Sequence, residues 1–181
     1  RLKEFSAATP FQLSELVGAN NTMMGFGMST DDAYVSLQRL GKVAAVSNGD
    51  INGMSLAFAK AKATGKLFAD DLQQLQDNRL PVFKILGERL NKTPGQLKEM
   101  ASKGQLAFSE LEKGLADVTE GTGKYAKGLE LGSQTIGGIL STFKDKLSLA
   151  LGTLGKSIAD AINFKEVMQK LGDTIGRVTK F

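Results

Sequence analysis

Between Gly65 and Leu115 the chain repeats one pattern: apolar residues at helical spacing, interrupted by the start signals of new short helices. Leu67, Leu72, Leu75, Leu80, Val82, Phe83, Leu86, Leu90, Leu97, Met100, Leu106, Phe108, Leu111 and Leu115 supply the apolar side. Thr93-Pro94-Gly95-Gln96 and Ser109-Glu110-Leu111-Glu112 fit a capping box. In that box a hydroxyl accepts from an amide three residues on, and Gln or Glu reaches back. Pro94 stands where a first helical residue has no amide to lose. Short helices joined by tight turns are what such a stretch can build.

The same punctuation runs upstream. Thr9-Pro10-Phe11-Gln12 reads as another capping box, opening a helix with Phe11, Leu13, Leu16, Val17 and Met24 inward and closing at Gly25 and Gly27. Ser29 and Thr30 offer caps ahead of Asp31 and Asp32, whose carboxylates suit the positive end of a helix dipole. That helix runs to Ser47 with Ala33, Leu37, Leu40, Val43 and Ala44 inward. After the Asn48-Gly49 turn, Asp50 caps a helix over Ile51–Thr64 with Met54, Phe58 and Ala61 on one side, and Gly65 closes it. Helices follow over Ala69–Asp77 and Pro81–Leu90; in the joint between them Asn78 is expected to take the left-handed turn, because Asn tolerates it better than Arg79. Lys66-Leu67-Phe68 and Gln105-Leu106-Ala107-Phe108 suit only short extended connectors.

Glu120-Gly121-Thr122-Gly123 marks a composition shift, and we divide the chain there into 1–120, a helical domain, and 121–181, a helical extension. A helix through Tyr125 and Leu129 breaks or kinks at Gly132-Ser133. Ile136, Leu140, Phe143, Leu147, Leu151, Leu154, Ile158 and Ile162 then form one apolar seam in steps of four or three. The mean step of about 3.7 residues predicts little supercoil, or a slight right-handed one. Leu171, Ile175 and Val178 resume it. A helix from Ile136 to Phe181 would reach roughly 70 Å at ~1.5 Å per residue. It cannot bury its stripe on itself, so the seam is the candidate oligomer interface. The fold class expected is all-α: a bundle of short helices followed by a long amphipathic helical extension.

Composition removes much chemistry. With no Cys and no His, there is no thiolate or imidazole for a metal site, a disulfide or a Ser-His or Cys-His nucleophile. No Asp-x-Asp-x-Asp-Gly loop and no Gly-rich phosphate loop occurs, so no cofactor is expected. The adjacent pairs Asp31-Asp32 and Asp70-Asp71 fall at helix starts, where capping is the simpler use than acid–base work. Gln73, Gln74 and Gln76 suit an exposed face or a partner contact. Met23, Met24 and Met28 suit core filling beside Phe26 or an adaptable patch. Gly128-x-x-x-Gly132 and Gly172-x-x-x-Gly176 have the spacing that lets helices approach closely, a rule proper to membranes. No run approaches the ~18 apolar residues of a spanning helix. The formal +4 charge lies wholly in the last third, which holds 9 basic and 5 acidic residues. That excess suits a solvated face, a lipid surface or DNA, but basic residues without interleaved aromatics argue against specific nucleic-acid reading. The chain begins at Arg1 with neither initiator Met nor signal pattern, and reads as a segment of something longer.

The Gly65-Lys66-Leu67 turn, the Asp71-Leu72-Gln73-Gln74-Leu75 helix, the Leu80-Pro81 break, and the turns Leu90-Asn91-Lys92-Thr93 and Lys103-Gly104-Gln105-Leu106 resemble the conserved helical domain of phage tail tape-measure proteins. The likeness extends over Thr9 to Phe143. That family usually has Gly in the joint held here by Asn78 and Arg79, and often Gly at the position of Asn91. The resemblance implies a structural, non-enzymatic part of a phage, prophage or phage-derived tail. There it would set tube length, scaffold tube assembly and leave ahead of DNA at infection. It also implies a homo-oligomer of three copies in the tube lumen, made in the host cytoplasm, with tail-tube, tail-tip and tail-assembly chaperone proteins as partners. A membrane-active amphipathic protein, its basic last third contacting a bilayer and aiding DNA or effector passage, is the alternative. An enzyme is the third reading, with the least support.

Overall fold

A computed structural model describes residues 1–133 and 145–148 of the chain. Among the described residues there is no strand, and the chain is all-α. The helices are α1 (Leu2–Ala7), α2 (Leu13–Gly25), α3 (Thr30–Ser47), α4 (Ile51–Thr64), α5 (Ala69–Asp77), α6 (Val82–Leu90), α7 (Pro94–Ser102), α8 (Phe108–Thr119) and α9 (Gly128–Ser133). The chain divides into two units, Arg1–Thr142 and Phe143–Phe181. Residues 121–133, beyond the expected edge at Glu120, therefore lie in the first unit.

Local chemistry sets most of the helix ends. Ser29 Oγ accepts from Asp32 N–H at 3.1 Å, Asp50 Oδ1 from Asn52 N–H at 3.0 Å, and Thr93 Oγ1 from Gln96 N–H at 3.3 Å. Gln96 Oε1 accepts in return from Thr93 N–H at 2.9 Å, completing that box. The C-terminal ends favour a left-handed residue, Gly27, Asn48, Asn91 or Gly104, followed by an amide that returns to the last turn. The two expected connectors do pair: Leu67 N–H donates to Leu106 O at 2.9 Å and Phe108 N–H to Gly65 O at 3.0 Å. They form an isolated antiparallel bridge between Lys66 and Ala107, not a sheet.

Tertiary contacts overrule local signals at three ends. The box at Thr9 does not start α2. Thr9 is buried, Phe11 packs inside, and the helix begins three residues later, where Glu15 accepts from Gln12 N–H at 2.7 Å. The rings of Phe5 and Phe11 cover Gly41 of α3, and the non-helical turn before α2 brings both there. The box at Ser109 also fails. Phe108 is already helical and Ala107 is the extended cap, because the pairing of Phe108 N–H to Gly65 O starts the helix two residues earlier. Lastly, Arg79 rather than Asn78 takes the left-handed turn, at φ 67°. Arg79 N–H returns to Gln76 O and Leu80 N–H to Leu75 O, both at 2.9 Å, so the left-handed position must fall directly before Leu80. Leu75 and Leu80 are both fully buried there. Asn78 stays right-handed, donates to Gln74 O at 2.7 Å, and lies so close to Gly53 that a Cβ would overlap it.

α2 packs on α4 and α3, α4 on α5, α6 on α7 and α8, and α3 also on α8 and α9. Leu16, Met23, Leu37, Leu40, Met54, Phe58, Leu67, Leu72, Leu75, Leu80, Leu86 and Leu97 are buried to within 2% of completely. Each such side chain contributes about 1.5–3 kcal/mol relative to exposure. The inward sets expected for α3 and α4 are buried throughout. On α2, Val17 and Met24 instead face solvent at 36% and 39% exposure, as does Phe26, while Met23 and Met28 fill the core.

Candidate interaction surfaces

No group of three or more His, Cys, Asp or Glu side chains converges as a metal site among the described residues. No helix there is long and apolar enough to cross a membrane. One carboxylate of each adjacent pair has a structural partner. Asp31 meets the Arg1 guanidinium at 2.5 Å, and Arg1 also lies over the Tyr34 ring. Asp71 Oδ2 accepts from Phe68 N–H at 2.8 Å at the start of α5. Gln73 donates to Asp77 at 2.7 Å along an exposed face, and Gln76 lines an open groove with Pro81, Phe83, Lys84, Gly87 and Pro94.

Charged side chains instead stitch α8 to its neighbours. Arg89 of α6 forks between Glu110, at 2.8 Å, and Asp117. The hydrogen bond from Arg89 holds the Glu110 carboxyl below its ordinary range, against the partial burial that would raise it. Lys62 of α4 meets Glu112 at 2.7 Å. Arg39 of α3 grips Glu120 at 2.6 Å, and one turn on, Lys42 Nζ donates to Thr119 O at 2.9 Å, closing the C-terminus of α8. These contacts span sequence separations of 21 to 81 residues, so no local pattern announces them.

The glycine spacing at Gly128 and Gly132 has a physical use that composition alone leaves open. Both face α3: a Cβ on Gly128 would overlap the Lys42 carbonyl, and one on Gly132 would overlap Ala45. α9 therefore runs along α3 in the same direction and unusually near it. Gly172 and Gly176 lie outside the described residues. Of the seam, only Leu147 is described, half-buried in a helical stretch over residues 145–148. Ile136, Leu140, Phe143, Leu151, Leu154, Ile158 and Ile162 lie outside the described residues. Sequence reasoning does not anticipate the exposed rings of Phe26 and Phe68 or the exposure of Val46 and Leu131. Singly scattered apolar groups are ordinary on a protein surface, and periodicity gives no signal for them.

Comparison with known proteins adds a family to this geometry. The family model described as Tape measure protein matches residues 1–156. A protein named Tape measure protein from Lactococcus phage F4-1 is 26% identical over 141 residues, spanning 73% of this chain and 36% of its own length. The chain thus covers little more than a third of that curated relative. No solved structure matches.

Proposed function

The chain belongs to the tape measure protein family, structural proteins of phage tails, and from that premise we propose that it is a folded segment of the ruler on which a tail tube assembles. The observation that carries this reading is the family match across residues 1–156. A helical polymer advances about 1.5 Å per residue, so chain length translates into tube length wherever the chain runs as a rod. The compact helices of residues 1–133 add little length for their residue number. The ruler reading assigns the length-setting share to the chain outside them, the seam included, which apart from residues 145–148 lies outside the described residues.

In this reading the protein occupies the tube lumen, is made and assembled in the host cytoplasm, and leaves with DNA at infection. Its partners are further copies of itself, three in the assembled tail, together with tube, tail-tip and chaperone proteins. It performs no catalysis and reads no specific nucleic acid. The supply of residues supports the first, since the chain has neither His nor Cys.

Two measurements test these proposals. In the phage that encodes the chain, in-frame removal of codons 134–181 should shorten the tail by about 70 Å, the rise expected of a continuous helix of that length. An unaltered tail length in electron micrographs would overturn the ruler role of this segment. Self-association through Ile136, Leu140, Phe143, Leu147, Leu151, Leu154, Ile158 and Ile162 predicts a second result. Leu147→Asp with Leu154→Asp should lower the mass seen by analytical ultracentrifugation and leave the helices of residues 1–133 folded. If the mass does not change, the seam packs within one chain.

A further inference from the structure

We propose that the solvent face of α2 is a contact between copies of this chain, packed side by side in parallel. Residues 16–30 contain no Asp, Glu, Lys or Arg, although 23% of the chain is charged. Among them Val17, Gly18, Asn21, Met24 and Gly25 are exposed, Val17 at 36% and Met24 at 39%. They lie opposite Leu16, Ala19 and Met23, which are fully buried. By contrast, α6 and α7 show solvent Lys84, Glu88, Lys98 and Glu99. Depletion of charge around exposed apolar groups marks the core of an interface, whereas a solvated face has no need of it. Helical periodicity gives the face two unlike flanks. Val17 and Met24 form one, Gly18 and Gly25 the other, and Asn21 lies between them. Gly25 has nothing within 4 Å of an added Cβ, so its flank is an open notch. Met24 is held in place, because the buried Asn20 donates from Nδ2 to its sulfur at 3.2 Å. A side chain fixed beforehand loses less freedom on contact.

The occupant follows from this pattern. When copies are related by rotation about an axis parallel to α2, the flanks meet unlike to unlike. Val17 and Met24 of one copy then enter the glycine notches of the next, where no Cβ holds the backbones apart. Asn21 faces the axis, and its amide carries both a donor and an acceptor for its own equivalent. A polar Asn at such a position fixes the register between parallel helices. No charge has to be matched, and none is left buried. A foreign partner must bring its own apolar ridge and amide; a second copy already has both. The footprint is small. A helix of 13 residues is about 20 Å long and about 10 Å wide, well short of the ~800 Å² per partner of a standard interface. The contact is therefore weak and reversible. Its use in a tail, aligning the folded parts of neighbouring copies, rests on the ruler reading. The contact itself does not.

The chain contains no cysteine, so a single introduced thiol reads the contact directly. Ser14, one heptad before Asn21, is also exposed. The full 181-residue chain carrying Asn21→Cys or Ser14→Cys is incubated with oxidised glutathione. Each should form disulfide-linked pairs about ten-fold or more faster than Gln73→Cys on the exposed face of α5. Parallel packing brings each residue to its own equivalent. Antiparallel packing about Asn21 would instead set the two copies of residue 14 about 20 Å apart, beyond disulfide reach. Gly25→Lys adds bulk and charge to the notch, at a helix C-terminus that suits a cation and with open space around the Cβ. In the Asn21→Cys chain it should lower the rate to that of Gln73→Cys. The proposal is overturned if either thiol on α2 pairs no faster than that of Gln73→Cys, or if Gly25→Lys leaves the rate unchanged. All four positions are exposed, so the exchanges leave the bundle intact. The seam is read by mass and this contact by a positioned disulfide, so either can fail without the other.

Discussion

Replacing Phe58 by alanine should cost about 3–5 kcal/mol, a large share of the ~5–15 kcal/mol that holds an ordinary domain together. Phe58 is 1% exposed in α4, and its ring meets Phe108 edge to face, centroids 4.8 Å apart at 69°. Phe108 is the first residue of α8, so this pair joins the middle of α4 to the start of α8. Two further contacts converge there: Phe108 N–H on Gly65 O, and the Lys62 ammonium 5.6 Å from the Phe108 ring centre and 2.7 Å from Glu112. Truncation removes the transfer energy of the ring and leaves a void that close-packed helices refill poorly. The thermal midpoint should fall on the order of 10–20 °C. Phe58→Leu should recover much of the loss, because it restores volume but not the edge-to-face geometry, worth about 0.5–1.5 kcal/mol. A loss below about 1 kcal/mol for Phe58→Ala would mean that α4 and α8 are not held together at this point.

The same region shows which parts of a fold are legible in an amino-acid sequence. Caps at Ser29, Asp50 and Thr93 depend on atoms two or three residues away, so sequence spacing contains the whole interaction. The apolar faces of α3 and α4 are legible for the same reason: helical periodicity forces their residues to one side. Thr9, Ser109 and Asn78 offer equally good local chemistry and are overruled. In each case a long-range requirement fixes the chain: Phe11 over Gly41, Phe108 on Gly65 O, Leu80 beside Leu75. Arg79 shows the balance of terms. A left-handed non-glycine residue costs about 1–2 kcal/mol. Burying Leu80 opposite Leu75 and donating from Arg79 Nη1 to Asn48 O, at 2.9 Å, together outweigh that. The Gly128–Gly132 spacing is visible as a motif, but its target on α3 is not, since nothing within four residues encodes Lys42 or Ala45. The seam is the reverse case: its periodicity is plain in the sequence, and all of it but Leu147 falls outside the described residues.

Gly114 carries the second large effect, and its sign runs against helix propensity. It sits inside α8, where exchanging glycine for alanine ordinarily stabilises a helix by about 1 kcal/mol. Here a Cβ would stand 2.7 Å from Ile85 Cγ2 of α6 and 3.6 Å from Arg89 Cδ. Ile85 is 2% exposed, and its Cγ2 branches directly from Cβ, so it cannot swing away without driving the other branch into its neighbours. α6 and α8 must separate by several tenths of an ångström for alanine and by far more for leucine. Gly114→Leu should therefore cost about 3 kcal/mol or more, the upper end for overpacking. Separation would also lengthen the bonds from Arg89 to Glu110 and Asp117, removing the hydrogen bond that keeps the Glu110 carboxyl acidic. Urea unfolding reads the first effect as a lower midpoint at unchanged slope. Titration of Glu110 by NMR reads the second as a return towards the ordinary carboxylate range. Gly25 is the control: with nothing within 4 Å of its added Cβ, Gly25→Ala should change stability by no more than about 0.5 kcal/mol. If Gly114→Leu behaves like Gly25→Ala, α6 and α8 do not lie as close as the structure places them. The ion pairs of Arg89 would then be surface contacts and not the rim of a tight interface.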